Sequence, residues 1–118
     1  VVGERQRGGA VHFGGVPFAA APEGERRWLR PGPPEPWEGR LDCTTRRPAG
    51  ERRAWPVQEP GPWQAGAPPM SEDCLQLNVW APAAALAAAA KARRRPRRRA
   101  GPGAPVLVWI YGGGLLGG

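Results

Sequence analysis

The sequence predicts an α/β protein seen in part: mostly short β-strands and long loops, incomplete as a domain. Three observations predict it. Leu75-Gln76-Leu77-Asn78-Val79-Trp80 alternates, so that Leu75, Leu77 and Val79 fall on one face of a strand. Val106-Leu107-Val108-Trp109-Ile110-Tyr111 is a continuous apolar run of strong strand propensity. It reads as a strand buried on both faces, the pattern of the parallel part of an α/β sheet. The third observation is scarcity. Leu, Ile, Val and Phe make up 19 of 118 residues, whereas Gly and Pro make up 34, so the core is thin for an independent domain. The chain opens on Val1-Val2 and closes on Gly117-Gly118, directly after its most apolar run. The expectation is one piece of a larger protein.

The remaining elements follow in order. Val11 to Phe18 reads as a short strand broken by Gly14-Gly15 and Pro17. Residues 20–40 are a Pro-rich coil in which Trp28 and Trp37 serve as packing anchors. Residues 44–69 carry Arg pairs, prolines and two Trp without periodicity, which is a long loop. Ser71-Glu72-Asp73 has the look of a helix cap, but no helical apolar stripe follows it. Ala83 to Ala92 has high helix propensity and almost nothing to bury, giving a short exposed helix that ends before Pro96. Residues 83–103 as a whole read as a disordered Ala/Arg-rich insertion in a single unit, 1–118.

Charge narrows the function. The net charge is +7, but residues 91–99, KARRRPRRR, hold seven of the 17 basic residues, and the rest of the chain is balanced. No aromatic side chain stands beside that run to stack on bases. It reads as a solvated charged segment, and no nucleic-acid partner is expected. No run of 18 apolar residues exists, so the segment has no membrane span. There is no Cys-x-x-Cys, and the single His12 is remote in sequence from Cys43 and Cys74; no metal or cofactor is expected. The spacing of the two Cys leaves a disulfide and two free thiols equally open.

The apolar run feeds directly into Gly112-Gly113-Gly114. One reading is a tight turn. The sharper one is a loop whose uncovered backbone N–H groups approach a ligand. A phosphate loop does not fit, because no Lys-Ser/Thr follows and the spacing is not G-x-G-x-x-G. A strand followed by glycines does fit an oxyanion hole, where N–H groups face the oxygen of a tetrahedral intermediate.

Three ordered motifs carry a resemblance. Phe13-x-Gly15-Val16-Pro17-Phe18-Ala19 is followed by Pro22-x-Gly24-x-x-Arg27-Trp28, Pro36-Trp37-x-Gly39 and Asp42. Ser71-Glu72-Asp73-Cys74-Leu75-x-Leu77-Asn78-Val79-Trp80 is the second, and Val106 to Gly114 the third. Together they resemble the N-terminal part of the type-B carboxylesterase/lipase family, which includes the cholinesterases. Residues 11–43, 70–82 and 104–118 carry the likeness, 61 of 118 positions. Tyr111, where His is more widespread, leans toward the cholinesterase-like branch.

The resemblance implies the N-terminal part of an α/β-hydrolase fold. It implies a fragment of a carboxylic ester hydrolase that works through an acyl-serine intermediate on a small-molecule ester. Gly113 and Gly114 would donate to the oxyanion, with Gly112 shaping the turn. Arg27 and Glu72 would be in contact. Trp63 stands one residue out of register from a cation-binding Trp of the cholinesterases; otherwise it anchors the loop. Cys74 matches the family's bridged Cys, but the partner position is Gly50, and Cys43 lies seven residues earlier; no family-type bridge is expected. Leu115 replaces the usual Phe. The family's nucleophile sits in G-x-S-x-G, whereas the only serine here, Ser71, precedes Glu-Asp, and His12 falls outside the Ser–acid–His chain order. The 118 residues are expected to be inactive alone. The alternative is a non-catalytic cholinesterase-like adhesion domain, separated from an esterase by whether Gly-Glu-Ser-Ala-Gly follows Gly118. Family members include secreted proteins; the segment itself sets no compartment.

Overall fold

The structure, a computed structural model, describes residues 1–44, 70–93, 104–110 and 112. Its centre is a three-stranded antiparallel sheet, ordered β1 (Glu4–Arg5), β2 (Ala10–Pro17), β3 (Gln76–Pro82). β1 and β2 form a hairpin. Gln6 N–H donates to Ala10 O at 2.8 Å, and Gly9 takes φ 80° in the turn. The residue just before β1 lies close against β2: a Cβ on Gly3 would lie 2.6 Å from Phe13 Cδ1 and 2.7 Å from His12 O.

β2 is not broken at Gly14-Gly15, as the sequence suggests. It runs through them as a bulge, and the register against β3 shifts between Phe13 and Val16. Gly15 adopts φ 56°, a conformation that costs other residues roughly 1–2 kcal/mol. Both freed N–H groups find partners: Gly14 donates to Cys43 O and Gly15 to Asn78 Oδ1, each at 2.9 Å. Pro17, which has no N–H to give, stands at the strand's end.

Beyond β2 the chain turns through a short 3-10 helix, Gly24–Arg26, and the Pro-rich coil. It returns beside the N-terminus. Val2 bridges Asp42 in parallel; Val2 N–H donates to Leu41 O and Cys43 N–H to Val2 O, both 2.8 Å. Cys43 is fully buried in this seam, with Ala19 and Ala20 the other buried apolar residues among those described. That is a small core, in keeping with the thin aliphatic count.

β3 starts one residue later than the alternation suggests and extends through Pro82. The helix α1 (Ala83–Arg93) follows at once. The short helix expected over Ala83 to Ala92 is present and runs to Arg93, because Ala forms one at almost no side-chain entropy cost. Residues 94–103 lie outside the described part.

One expectation is corrected. The sequence reads Val106 to Tyr111 as a strand buried on both faces, and of this run the structure describes Val106 to Ile110. In the structure these residues form no ladder with any described strand and are 75–92% exposed. A doubly buried strand needs neighbours on both edges and cover on both faces, and none of the described elements supplies them.

Candidate functional site

Of the expected site residues, the structure brings Arg27, Glu72 and Cys74 together and places Gly112 apart on the exposed 104–112 stretch. Gly113, Gly114, Tyr111 and Trp63 lie outside the described residues. At Gly112 an added Cβ would meet nothing within 4 Å.

Arg27 and Glu72 form an ion pair, Nε to Oε1 at 2.5 Å. The 3-10 helix positions Arg27, whose N–H donates to Gly24 O at 3.1 Å. A second contact runs parallel to the ion pair: Ser71 Oγ donates to Glu23 Oε1 at 3.4 Å and accepts from Asp73 N–H at 3.1 Å. The segment Ser71–Cys74 is therefore tied to the turn at 23–27 at two points before β3 begins. Arg26 pairs outward with Glu35 at 2.9 Å, with both side chains mostly exposed.

Cys74 is half-buried and free, and Cys43 is buried and free. Burial pushes the Cys74 thiol above its ordinary value. The Asp73 carboxylate, and less strongly that of Glu72, push it the same way, against a backbone hydrogen bond that lowers it. A thiol held protonated in this way is a poor nucleophile.

His12 belongs to the sheet. It faces Trp80 across the β2–β3 ladder, the rings stacked with centroids 4.6 Å apart and 26° between planes. Ser71 is taken up by Glu23 and Asp73, so no described residue set forms a nucleophile–base pair. No group of three or more His, Cys, Asp or Glu among the described residues could hold a metal. No described helix is long and apolar enough to cross a membrane.

Sequence reasoning missed two contacts. The Gly15–Asn78 bond had a signal in Asn78, a residue type disfavoured inside strands. Glu23–Ser71 had none, since the two residues are 48 apart in sequence.

The family model described as the Carboxylesterase family matches residues 1–118. An acetylcholinesterase of Bungarus fasciatus is 42% identical over 110 residues, covering 90% of this chain and 16% of that protein. A phenmedipham hydrolase of Pseudarthrobacter oxydans is 37% identical over 108 residues, covering 92% and 19%. A solved thermophilic PNB esterase is 35% identical over 68% of this chain and 16% of its own, with a TM-score of 0.55. The chain thus spans less than a fifth of these relatives' length, and its three-stranded sheet and helix agree with part of an α/β-hydrolase domain. It belongs to the type-B carboxylesterase family, a family of cholinesterase-like hydrolases.

Proposed function

We propose that the chain is the N-terminal part of a serine carboxylesterase and supplies its oxyanion hole. The family match over all 118 residues carries this reading, together with the run from Val106 into Gly112-Gly113-Gly114. A serine hydroxyl, from sequence beyond these residues, attacks the ester carbonyl. A histidine takes the serine proton and returns it to the departing alcohol, leaving an acyl-serine. Water then attacks the acyl group by the same route, releasing the acid and regenerating the serine. In both steps the carbonyl oxygen becomes an oxyanion, and the N–H groups of Gly113 and Gly114 donate to it. Gly112 shapes the turn that aims them. The substrate class is a small-molecule carboxylic ester. The relatives named above are two esterases and a hydrolase, which supports catalysis over a purely adhesive role.

The test is turnover of a short-chain aryl ester by the full-length protein, combined with mass spectrometry after a fluorophosphonate reagent. Turnover with one labelled serine is the expected result. A folded full-length protein that neither turns over nor takes the label overturns the reading. The 118-residue chain by itself is expected to show neither.

A further inference from the structure

The Pro-rich coil has a property that esterase chemistry does not use. Arg30-Pro31-Gly32-Pro33-Pro34-Glu35-Pro36 contains no residue that is not either a proline or the residue before one. Proline fixes φ near −65°, and the residue before a proline is driven to extended backbone. The sequence thus biases the segment toward extended, polyproline II-like backbone. In the structure residues 30–37 form no helix, strand or turn.

Polyproline II backbone has three residues per turn and rises about 3.1 Å per residue. Arg30, Pro33 and Pro36 therefore share one edge, each about 9 Å from the next. All three are exposed, while Gly32 and Pro34 are half-buried against the protein. Two tethers hold the segment to the protein: Ala20 N–H donates to Gly32 O at 3.1 Å, and the exposed Glu35 pairs with Arg26. Arg30 makes no hydrogen bond or ion pair with any described residue.

We infer that this edge is a docking strip for a polyproline-reading domain. Its groove would be lined by aromatic rings that take Pro33 and Pro36, with an acidic pocket at one end for Arg30. Charge complementarity selects that partner: an exposed guanidinium, unpaired among the described residues, at one end of an uncharged proline edge fits a carboxylate beside an aromatic groove, the arrangement of SH3 domains. The preformed backbone keeps the ordering cost of binding low.

The experiment titrates a purified SH3 domain of Arg-x-x-Pro-x-x-Pro specificity into the full-length protein, and separately into a synthetic peptide of residues 28–38. The expected result is binding to the protein within about tenfold of the peptide's affinity. Arg30→Glu should weaken binding at least tenfold, with an unchanged circular dichroism spectrum and denaturation midpoint showing that the variant is folded. Pro33→Ala should weaken it as well. Binding to the peptide but not to the protein would mean that the strip is covered in the folded molecule, and overturns the inference. Failure of both to bind overturns it, as does binding that is indifferent to Arg30→Glu. None of these outcomes bears on esterase activity, so the two readings fail separately.

Discussion

Arg27 Nε lies 2.5 Å from Glu72 Oε1, with the two side chains 56% and 37% exposed. The geometry is that of a strong charge-assisted bond, but the setting is not. Water reaches both partners, and solvent screening takes back most of what the short distance offers. A fully buried pair that lost one member would cost about 3–5 kcal/mol. At this exposure the ceiling is about 1 kcal/mol. A double-mutant cycle with Arg27→Ala and Glu72→Ala, measured by chemical denaturation of the full-length protein, should give a coupling at or below that ceiling. The coupling should shrink in high salt. A salt-insensitive coupling of about 3 kcal/mol would show that the pair is buried when the rest of the polypeptide is present.

A second prediction concerns the β2 bulge. Gly15 is buried, and its N–H is answered by Asn78 Oδ1 rather than by the ladder. Asn78→Ala removes that acceptor and leaves the N–H unsatisfied, at a cost of about 1–3 kcal/mol. Asn78→Asp keeps an acceptor oxygen and should cost less. Equal destabilisation by the two variants, read from denaturation midpoints, would mean that the acceptor is not what matters. Gly15→Ala should cost about 1–2 kcal/mol, because φ 56° crowds any Cβ.

These contacts show what the sequence could and could not reveal. The alternation from Leu75 made β3 legible, and the Ala run made α1 legible, because both signals are local. The glycines in β2 looked like a break because their compensating partners, Cys43 and Asn78, stand far along the chain; Asn78 is 63 residues from Gly15. Val106 to Ile110 showed its apolar character plainly. Burial, however, depends on neighbouring strands, which a local pattern does not contain, and among the described residues there are none. The proposed oxyanion site is a motif alone, glycines at the end of an apolar run, because Gly113 and Gly114 lie outside the described residues.

The third prediction follows from the Cys74 environment. Burial, then the Asp73 carboxylate, raise its thiol above the usual range. The thiolate fraction at neutral pH is accordingly lower than for an ordinary cysteine, and alkylation is slow. Labelling by N-ethylmaleimide, followed peptide by peptide, should be slow at Cys74 and should accelerate toward pH 9. Asp73→Asn should speed it by removing a charge that opposes the thiolate. Cys43, fully buried, should label only on denaturation. A Cys43–Cys74 cross-linked peptide in the unreduced digest would contradict the pair of free thiols.

Trp28 supports a fourth. Leu29 N–H donates to Arg26 O at 3.1 Å, closing a turn in which Arg27 has φ −60°, ψ 134° and Trp28 has φ 64°. These are type II turn angles, with a bulky residue where glycine is favoured. Trp28 is 90% exposed, and the Arg27 guanidinium lies 5.4 Å from its ring centroid. Relieving the backbone gains about 1–2 kcal/mol; losing an exposed cation–π contact gives back about 0.5–1 kcal/mol. Trp28→Gly should therefore leave stability unchanged or raise it by up to about 1 kcal/mol. A loss of 2 kcal/mol or more in the full-length protein would show that other residues cover the indole there.

The functional prediction concerns Gly113. Catalysis of ester hydrolysis needs donors about 2.7–3.1 Å from the oxygen that becomes negative, held in place before the charge appears. Backbone N–H groups meet that demand best when no side chain stands between them and the substrate, and glycine leaves them bare. Removing one such donor typically costs about 10²–10³ in turnover. Gly113→Pro deletes the N–H and restrains φ, so kcat for a short-chain aryl ester should fall by about that factor or more. Gly113→Ala retains the N–H and should lose less unless its Cβ crowds the acyl group. The interaction forms in the transition state rather than the ground state, so the loss should appear in kcat and in kcat/KM alike, with KM little changed. Circular dichroism and a denaturation midpoint near the parent's would establish that the variant is folded. A folded Gly113→Pro protein with undiminished kcat would leave these glycines as turn formers only and place the oxyanion donors elsewhere.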